Sequence, residues 1–225
     1  MQRHVYSDID ALSQAFADFA TSTLQQALSR KANASLVIPG GNTPRHYLPA
    51  LAQRQLAWER ITITLSDERW VNTTDEQSNE RLAKHYLLDF LPSNTSFIGL
   101  KTRHHTPQDA MDGIHQRLDR LPLPVSLTVL GLGDDGHIAS LFPGMDPKCL
   151  SAHHCVAVEP PIAPSRRISL SLSMLAESEH IALVVAGENK RRLLDRLHDN
   201  PDTGLPVTWL LQSSQSPITV FETAM

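Results

Sequence analysis

Apolar residues between positions 9 and 28 return at helical spacing (Leu12, Phe16, Phe19, Ala20, Leu24 and Leu28), which predicts a long amphipathic helix near the start of the chain. Residues 34–39 form instead a short β-branched and aliphatic run that ends in Gly40-Gly41, and Thr43-Pro44 then opens a second helical pattern through Leu51. The sequence reads here as strand, glycine turn and helix. Similar compact runs at 61–65, 127–130, 168–172, 181–185 and 207–211 are each predicted as strands, with helix-patterned stretches at 79–90 and 109–121. Such alternation predicts an α/β fold with a mostly parallel sheet covered on both faces. Open sheets of that type place their sites at the carboxyl ends of strands, which directs attention to the loops after Ile38, Leu65, Leu130 and Leu172.

Length and composition fit one unit. A chain of 225 residues that is 41% hydrophobic can bury one substantial core, so a single domain over 1–225 is expected, with Pro160-Pro161-Ile162-Ala163-Pro164 as a rigid loop inside it. The net charge of −4 leaves no basic surplus for a polyphosphate backbone, which argues against a nucleic-acid partner. No stretch approaches the roughly twenty apolar residues that span a bilayer, and the first residues lack a signal-like apolar core, so a cytoplasmic protein with no membrane partner is expected. Cys149 and Cys155 are too few for a disulfide framework, which agrees with a reducing compartment.

Several short segments carry candidate chemistry. Gly40-Gly41-Asn42-Thr43-Pro44 has the parts of an anion site: glycines that admit close approach, a threonine able to cap, and a proline suited to the first helical position. The same parts also make an ordinary turn and helix cap. In Ser66-Asp67-Glu68-Arg69-Trp70, three consecutive charges at a strand end serve either a site or an ion-pair network, and Arg69 can fork onto a phosphate. Gly131-Leu132-Gly133-Asp134-Asp135-Gly136-His137 satisfies a dinucleotide glycine pattern, with Glu159 roughly where a ribose-binding acid would stand. Adjacent carboxylates would repel a pyrophosphate, however, and Pro143, Gly144 and Pro147 interrupt the helix that such a fold needs. A catalytic role suits the loop better: a positioned His137 can take a proton from water, while Asp135 orients the ring or the substrate. Arg166 and Arg167 precede a strand, where one of them can serve a phosphate, and Lys190 at a helix start calls for solvent or an anion.

Cys149, His153, His154 and Cys155 form a cluster of zinc-type ligands, but no second pair stands at a matching distance. In an extended segment the two adjacent histidines would point to opposite faces. No metal is expected.

Taken in order, Gly40-Gly41-x-Thr43-Pro44, Ser66-Asp67-Glu68-Arg69, Ser78-Asn79, the segment from Gly131 through His137 to Ser140-Leu141-Phe142-Pro143-Gly144, Arg167-Ile168-Ser169-Leu170 and Gly187-x-x-Lys190 resemble the 6-phosphogluconolactonase family. The match spans nearly the whole chain. The resemblance implies a three-layer, Rossmann-like fold shared with glucosamine-6-phosphate deaminases and ribose-5-phosphate isomerases, with no dinucleotide or other cofactor and no metal. It implies hydrolysis of 6-phospho-D-glucono-1,5-lactone, with His137 as the base, Asp135 and Lys190 near the site, and the 40–43 loop, Arg69 and Arg167 around the phosphate. The expected partner is a small sugar-phosphate lactone, bound by a monomer or small homo-oligomer. Pro39 and Ile138 depart from the family, which usually has serine and threonine there. A deaminase of the same fold is the nearest alternative, but it usually carries tyrosine where this chain has Arg69. A sugar-phosphate sensor without chemistry is the non-enzymatic alternative.

Overall fold

The computed structural model describes residues 1–146, 151, 153–160, 163–164, 166–199 and 204–224; Pro147, Cys149, Pro161 and Ile162, weighed above, lie outside the described residues. In chain order the elements are β1 Gln2–Val5, α1 Ile9–Arg30, β2 Ala34–Ile38, α2 Pro44–Ala52, β3 Ile61–Leu65, β4 Asp67–Arg69, α3 Asn79–Tyr86, β5 Ser96–Ile98, α4 Met111–Leu118, β6 Leu127–Leu130, β7 Cys155–Val158, β8 Arg167–Leu170, α5 Leu172–Ala176, β9 Ile181–Ala186, α6 Glu188–Asp199, α7 Pro206–Ser213 and β10 Ile218–Thr223. Seven strands form a parallel sheet in the order β1-β10-β9-β6-β2-β3-β5, and β4-β8-β7 make a small antiparallel sheet beside it.

Every residue of β2 is buried. Because successive strand residues point to opposite faces, both faces of the sheet are covered there, which is the α/β layering expected from the sequence. The α1 helix starts where Asp8 accepts the Ala11 amide at 2.8 Å, and it buries Leu12, Phe16, Ala20 and Leu24 along one face against α2 and the sheet. Among the described residues, no helix is long and apolar enough to cross a membrane.

The chain leaves β2 toward β3 and β5 on one side, whereas β6, β9 and β10 build the other, so strand order reverses between β2 and β6. Such a reversal opens a crevice at the carboxyl ends of the strands. One residue links the two sheets: the Ser66 amide donates to Ile38 O at 2.9 Å, and Ser66 O accepts from the Leu170 amide at 2.8 Å.

Two expectations need correction. Residues 207–211 lie in α7, not in a strand, because Pro206 fits the first helical turn and Val207, Thr208, Trp209 and Leu210 are all buried, which erases the periodicity that separates helix from strand. The run at 168–172 belongs to the antiparallel sheet, so the loop after Leu172 is not at the carboxyl edge of the main sheet. It is the amino end of β8, at Arg167, that reaches the crevice.

Candidate active site

A cleft of about 250 Å³ opens at the β2/β6 crevice, and Gly40, Gly41, Asn42, Thr43, Arg69, His137, Arg167 and Lys190 all line it. The glycines have distinct reasons to be there. A side chain at Gly40 would collide with the Asn79 amide, its Cβ 1.8 Å from Oδ1, while Gly41 turns the chain with φ +98° before α2 begins. Thr43 precedes Pro44 without making a side-chain cap, so the expected threonine cap is absent and the first turn of α2 faces the cleft uncapped.

His137 ends a tight turn in which the Gly133 amide donates to His137 O at 2.9 Å and the Gly136 amide to Gly133 O at 3.0 Å, with Gly136 at φ +83°. Asp135 stands outside the cleft lining but accepts the His137 amide at 3.1 Å and meets ring Nδ1 at 2.6 Å. Partial burial pushes the Asp135 carboxyl up, but the His137 amide and ring outweigh it and hold the group below its ordinary value. An ionised carboxylate only accepts, so Nδ1 carries the proton and the Nε2 lone pair remains available. The ring leans on Phe142, centroids 4.7 Å apart, and the Arg167 guanidinium lies 5.3 Å from the same phenyl ring.

Arg167 is buried and donates from Nε to Pro164 O at 3.2 Å; burial first, then the charge of Arg69, lower its pKa, against an opposing pull from Asp67. Its neighbour Arg166 turns outward to Glu159, 3.6 Å away, so Arg167 is the arginine of the pair that lines the cleft. Arg69 donates to Gln77 O at 2.8 Å, while its Nε is buried with no hydrogen-bond partner. Unspent donors on two guanidinium groups and Lys190 make the cleft receptive to an anion. The structure thus gathers the sequence candidates into one place.

Sequence reasoning missed the supports beneath them. Asp67 lines the cleft and is held by Ser140 Oγ at 2.6 Å, Ser66 Oγ at 3.0 Å and Asn79 Nδ2 at 3.3 Å. Glu68 is fully buried and accepts the amides of Arg69, Asn79 and Glu80 at 2.7–2.8 Å and Ser78 Oγ at 3.0 Å, which ties the Arg69 strand to the start of α3. Burial pushes Glu68 up to about 7 against those donors. Of the three charges in the 67–69 run, one therefore serves a network and two face the cleft. The helix-start pattern Ser78-Asn79-Glu80 was the visible signal, since such residues leave amides in need of an acceptor. Of the two departures, Pro39 lines the cleft and Ile138 is buried in the core.

The architecture and the cleft define an α/β sugar-phosphate enzyme of the isomerase and lactonase type, and comparison with known proteins agrees. A family model described as glucosamine-6-phosphate isomerases/6-phosphogluconolactonase matches residues 7–219, and the chain belongs to that family. Within it, the chain is 35% identical over 205 residues to a 6-phosphogluconolactonase of Pseudomonas aeruginosa, covering 88% of this chain and 84% of that one. It is 30% identical to that of Rhizobium meliloti, covering 97% of each. The crystal structure of a 6-phosphogluconolactonase from Shewanella baltica superposes with a TM-score of 0.94 at 34% identity, covering 100% of this chain and 98% of that one. A monomeric glucosamine-6-phosphate deaminase shares the fold, with a TM-score of 0.81 at 20% identity over 98% of this chain and 97% of that one.

Proposed function

We propose that the chain hydrolyses 6-phospho-D-glucono-1,5-lactone to 6-phospho-D-gluconate, and that it does so as one domain over 1–225. The observation that carries the reading is a histidine fixed by Asp135 in the same cleft as Arg69, Arg167 and Lys190. The phosphate of the lactone binds the two guanidinium groups and the open turn at 40–43, which fixes the ring relative to His137. Nε2 of His137 takes a proton from water as the water oxygen forms its bond to the lactone carbonyl carbon. The tetrahedral intermediate then collapses: the bond from that carbon to the ring oxygen breaks, and the imidazolium returns its proton to the departing ring oxygen. No covalent enzyme intermediate is needed.

A deaminase reading needs a base set against a sugar carbon, and Asp67 is the carboxylate in place. Its two oxygens already accept from Ser140, Ser66 and Asn79, which favours a positioning role. A small sugar-phosphate lactone as partner, a monomer or small homo-oligomer and a cytoplasmic setting complete the proposal. The test generates the lactone in place with glucose-6-phosphate dehydrogenase and follows its disappearance with wild type and with His137→Ala. Acceleration by the wild type alone supports the reading; equal rates with and without the wild-type protein would end it.

A further inference from the structure

Away from the cleft, the carboxyl end of α4 and the residues leading into β7 assemble side chains that lactone hydrolysis does not use. Asp119 Oδ1 lies 2.9 Å from His154 Nε2 and 3.8 Å from His153 Nε2, and the ligand atoms of the three residues all lie within 4.8 Å of one another. The two imidazole rings stack with centroids 3.9 Å apart. Spacing along the chain argued against this, because an extended segment would send the two rings to opposite faces. Residues 153–154 instead form a bend ahead of β7, which places both rings on one side, and the carboxylate comes from a helix 35 positions earlier in the chain than His154.

The metal-free contacts leave the cluster incomplete. His154 and Asp119 are hydrogen-bonded, but 3.8 Å is too long for His153 to share that oxygen. His115, one turn before Asp119 on α4, adds a third ring 5.7 Å from that of His153. Burial first, then the two neighbouring histidines, hold the His115 pKa below its ordinary value, so it adds no charge to repel a cation at neutral pH. Cys155 stands 3.9 Å from His115 Nδ1, but burial pushes its thiol up to about 12, which keeps it protonated and outside a ligand set.

We propose that Asp119, His153 and His154 bind one divalent transition-metal ion of the zinc class through two imidazole nitrogens and one carboxylate oxygen, with water completing the shell. Two nitrogens and an oxygen suit Zn²⁺, Ni²⁺ or Co²⁺ better than Mg²⁺ or Ca²⁺, which take oxygen ligands. Ligand bonds of about 2.0–2.2 Å require the three donors to draw closer together. The side chains free to do so are His153 and Asp119, 70% and 56% exposed, whereas His154 at 6% is the fixed anchor. In the antiparallel pairing of β7 with β8, Val158 stands opposite Arg167 and Cys155 opposite Leu170, so this site lies at the end of β7 away from the cleft. A bound ion would tie α4 to β7 and act on stability, leaving turnover alone.

The test uses untagged, chelator-treated full-length protein. Zn²⁺ is titrated calorimetrically, Co²⁺ by its visible absorption, and Mg²⁺ serves as the control, for wild type, Asp119→Ala and His153→Ala. Expected are one Zn²⁺ per wild-type chain, a Tm raised by Zn²⁺ but not by Mg²⁺, and at least a roughly tenfold loss of Zn²⁺ affinity in each variant, with lactone turnover unchanged in both. Equal Zn²⁺ affinity in wild type and both variants would put the ion elsewhere and overturn the proposal, as would a wild type that takes up none at submillimolar Zn²⁺.

Discussion

Asp135 Oδ1 holds His137 twice, by the backbone amide at 3.1 Å and by ring Nδ1 at 2.6 Å, although the two residues are separated only by Gly136. Backbone and ring are thereby locked to one carboxylate oxygen, and the free nitrogen is the one able to act on water. Asp135→Asn keeps the shape but offers an amide that can present its NH₂ to Nδ1 and favour the wrong tautomer. We expect kcat to fall by about 10- to 100-fold with KM little changed, and His137→Ala to fall further, by at least about 100-fold. Steady-state kinetics on lactone generated in place decides; wild-type kcat in Asp135→Asn would remove the orienting role.

Arg69 and Arg167 come from paired positions of the small sheet, directly opposite each other in the β4/β8 register. Two cations so placed repel one another until an anion arrives, which is why each should matter more to the bound state than to the free one. Either arginine changed to alanine should lower kcat/KM by about 10- to 100-fold, the worth of one or two charge-assisted hydrogen bonds, with most of the loss in KM. Arg167→Lys should recover little, because a point charge cannot reproduce the fork. Inorganic phosphate as a competitive inhibitor gives the independent readout: its inhibition constant should rise in both variants.

Glu68 allows a pH prediction. Its folded pKa of about 7 stands above the 4.5 of the free side chain, so between those values the folded state binds the proton more tightly than the unfolded state does. Stability from this group is therefore fully present below about pH 4.5 and is lost as pH rises toward 7, by at most roughly 3 kcal/mol. Glu68→Gln removes the titration, so the difference in urea unfolding free energy between wild type and variant should change between pH 5 and pH 8. The variant should also be less stable than wild type at both values, since its NH₂ faces amides that need an acceptor. Parallel pH profiles would show that the carboxyl stays ionised throughout.

The sequence disclosed the central strands and the cleft for the same reason: β2, β3, β6 and β9 are nearly continuous apolar runs, and the loops that follow them carry the glycines and charges. Signals failed where tertiary contacts neutralise a local oddity. The strand β10 contains Glu222, which is fully buried yet paired to Arg3 through two 2.8 Å bonds, so a charge interrupts a run that is nonetheless a strand. Strand β1, polar along its length, forms because β10 offers it a parallel partner. In the site, Arg69, Arg167 and His137 were visible by chemistry, whereas the roles of Glu68 and Asn79 depend on which amides and which glycine they meet across the fold.

Gly133 shows how far that dependence reaches. The glycine has no special need of a left-handed backbone; its constraint is space, because a Cβ there would stand 2.1 Å from His137 Nδ1 and 2.6 Å from Asp135 Oδ1. The methyl group of Gly133→Ala would push the ring off its carboxylate without touching the core. A displacement of about 1 Å at a reacting group can cost on the order of 100-fold in rate. Gly133→Ala should therefore lose about 10- to 100-fold in kcat while its far-UV circular dichroism, Tm and phosphate inhibition constant stay near wild type. Gly131 in the same loop has open space around its Cβ position, so Gly131→Ala is the matched control and should keep most of its activity. If both alanine variants lost activity equally, the cause would be loop flexibility, and the contact between Asp135 and His137 would no longer explain why a glycine stands at 133.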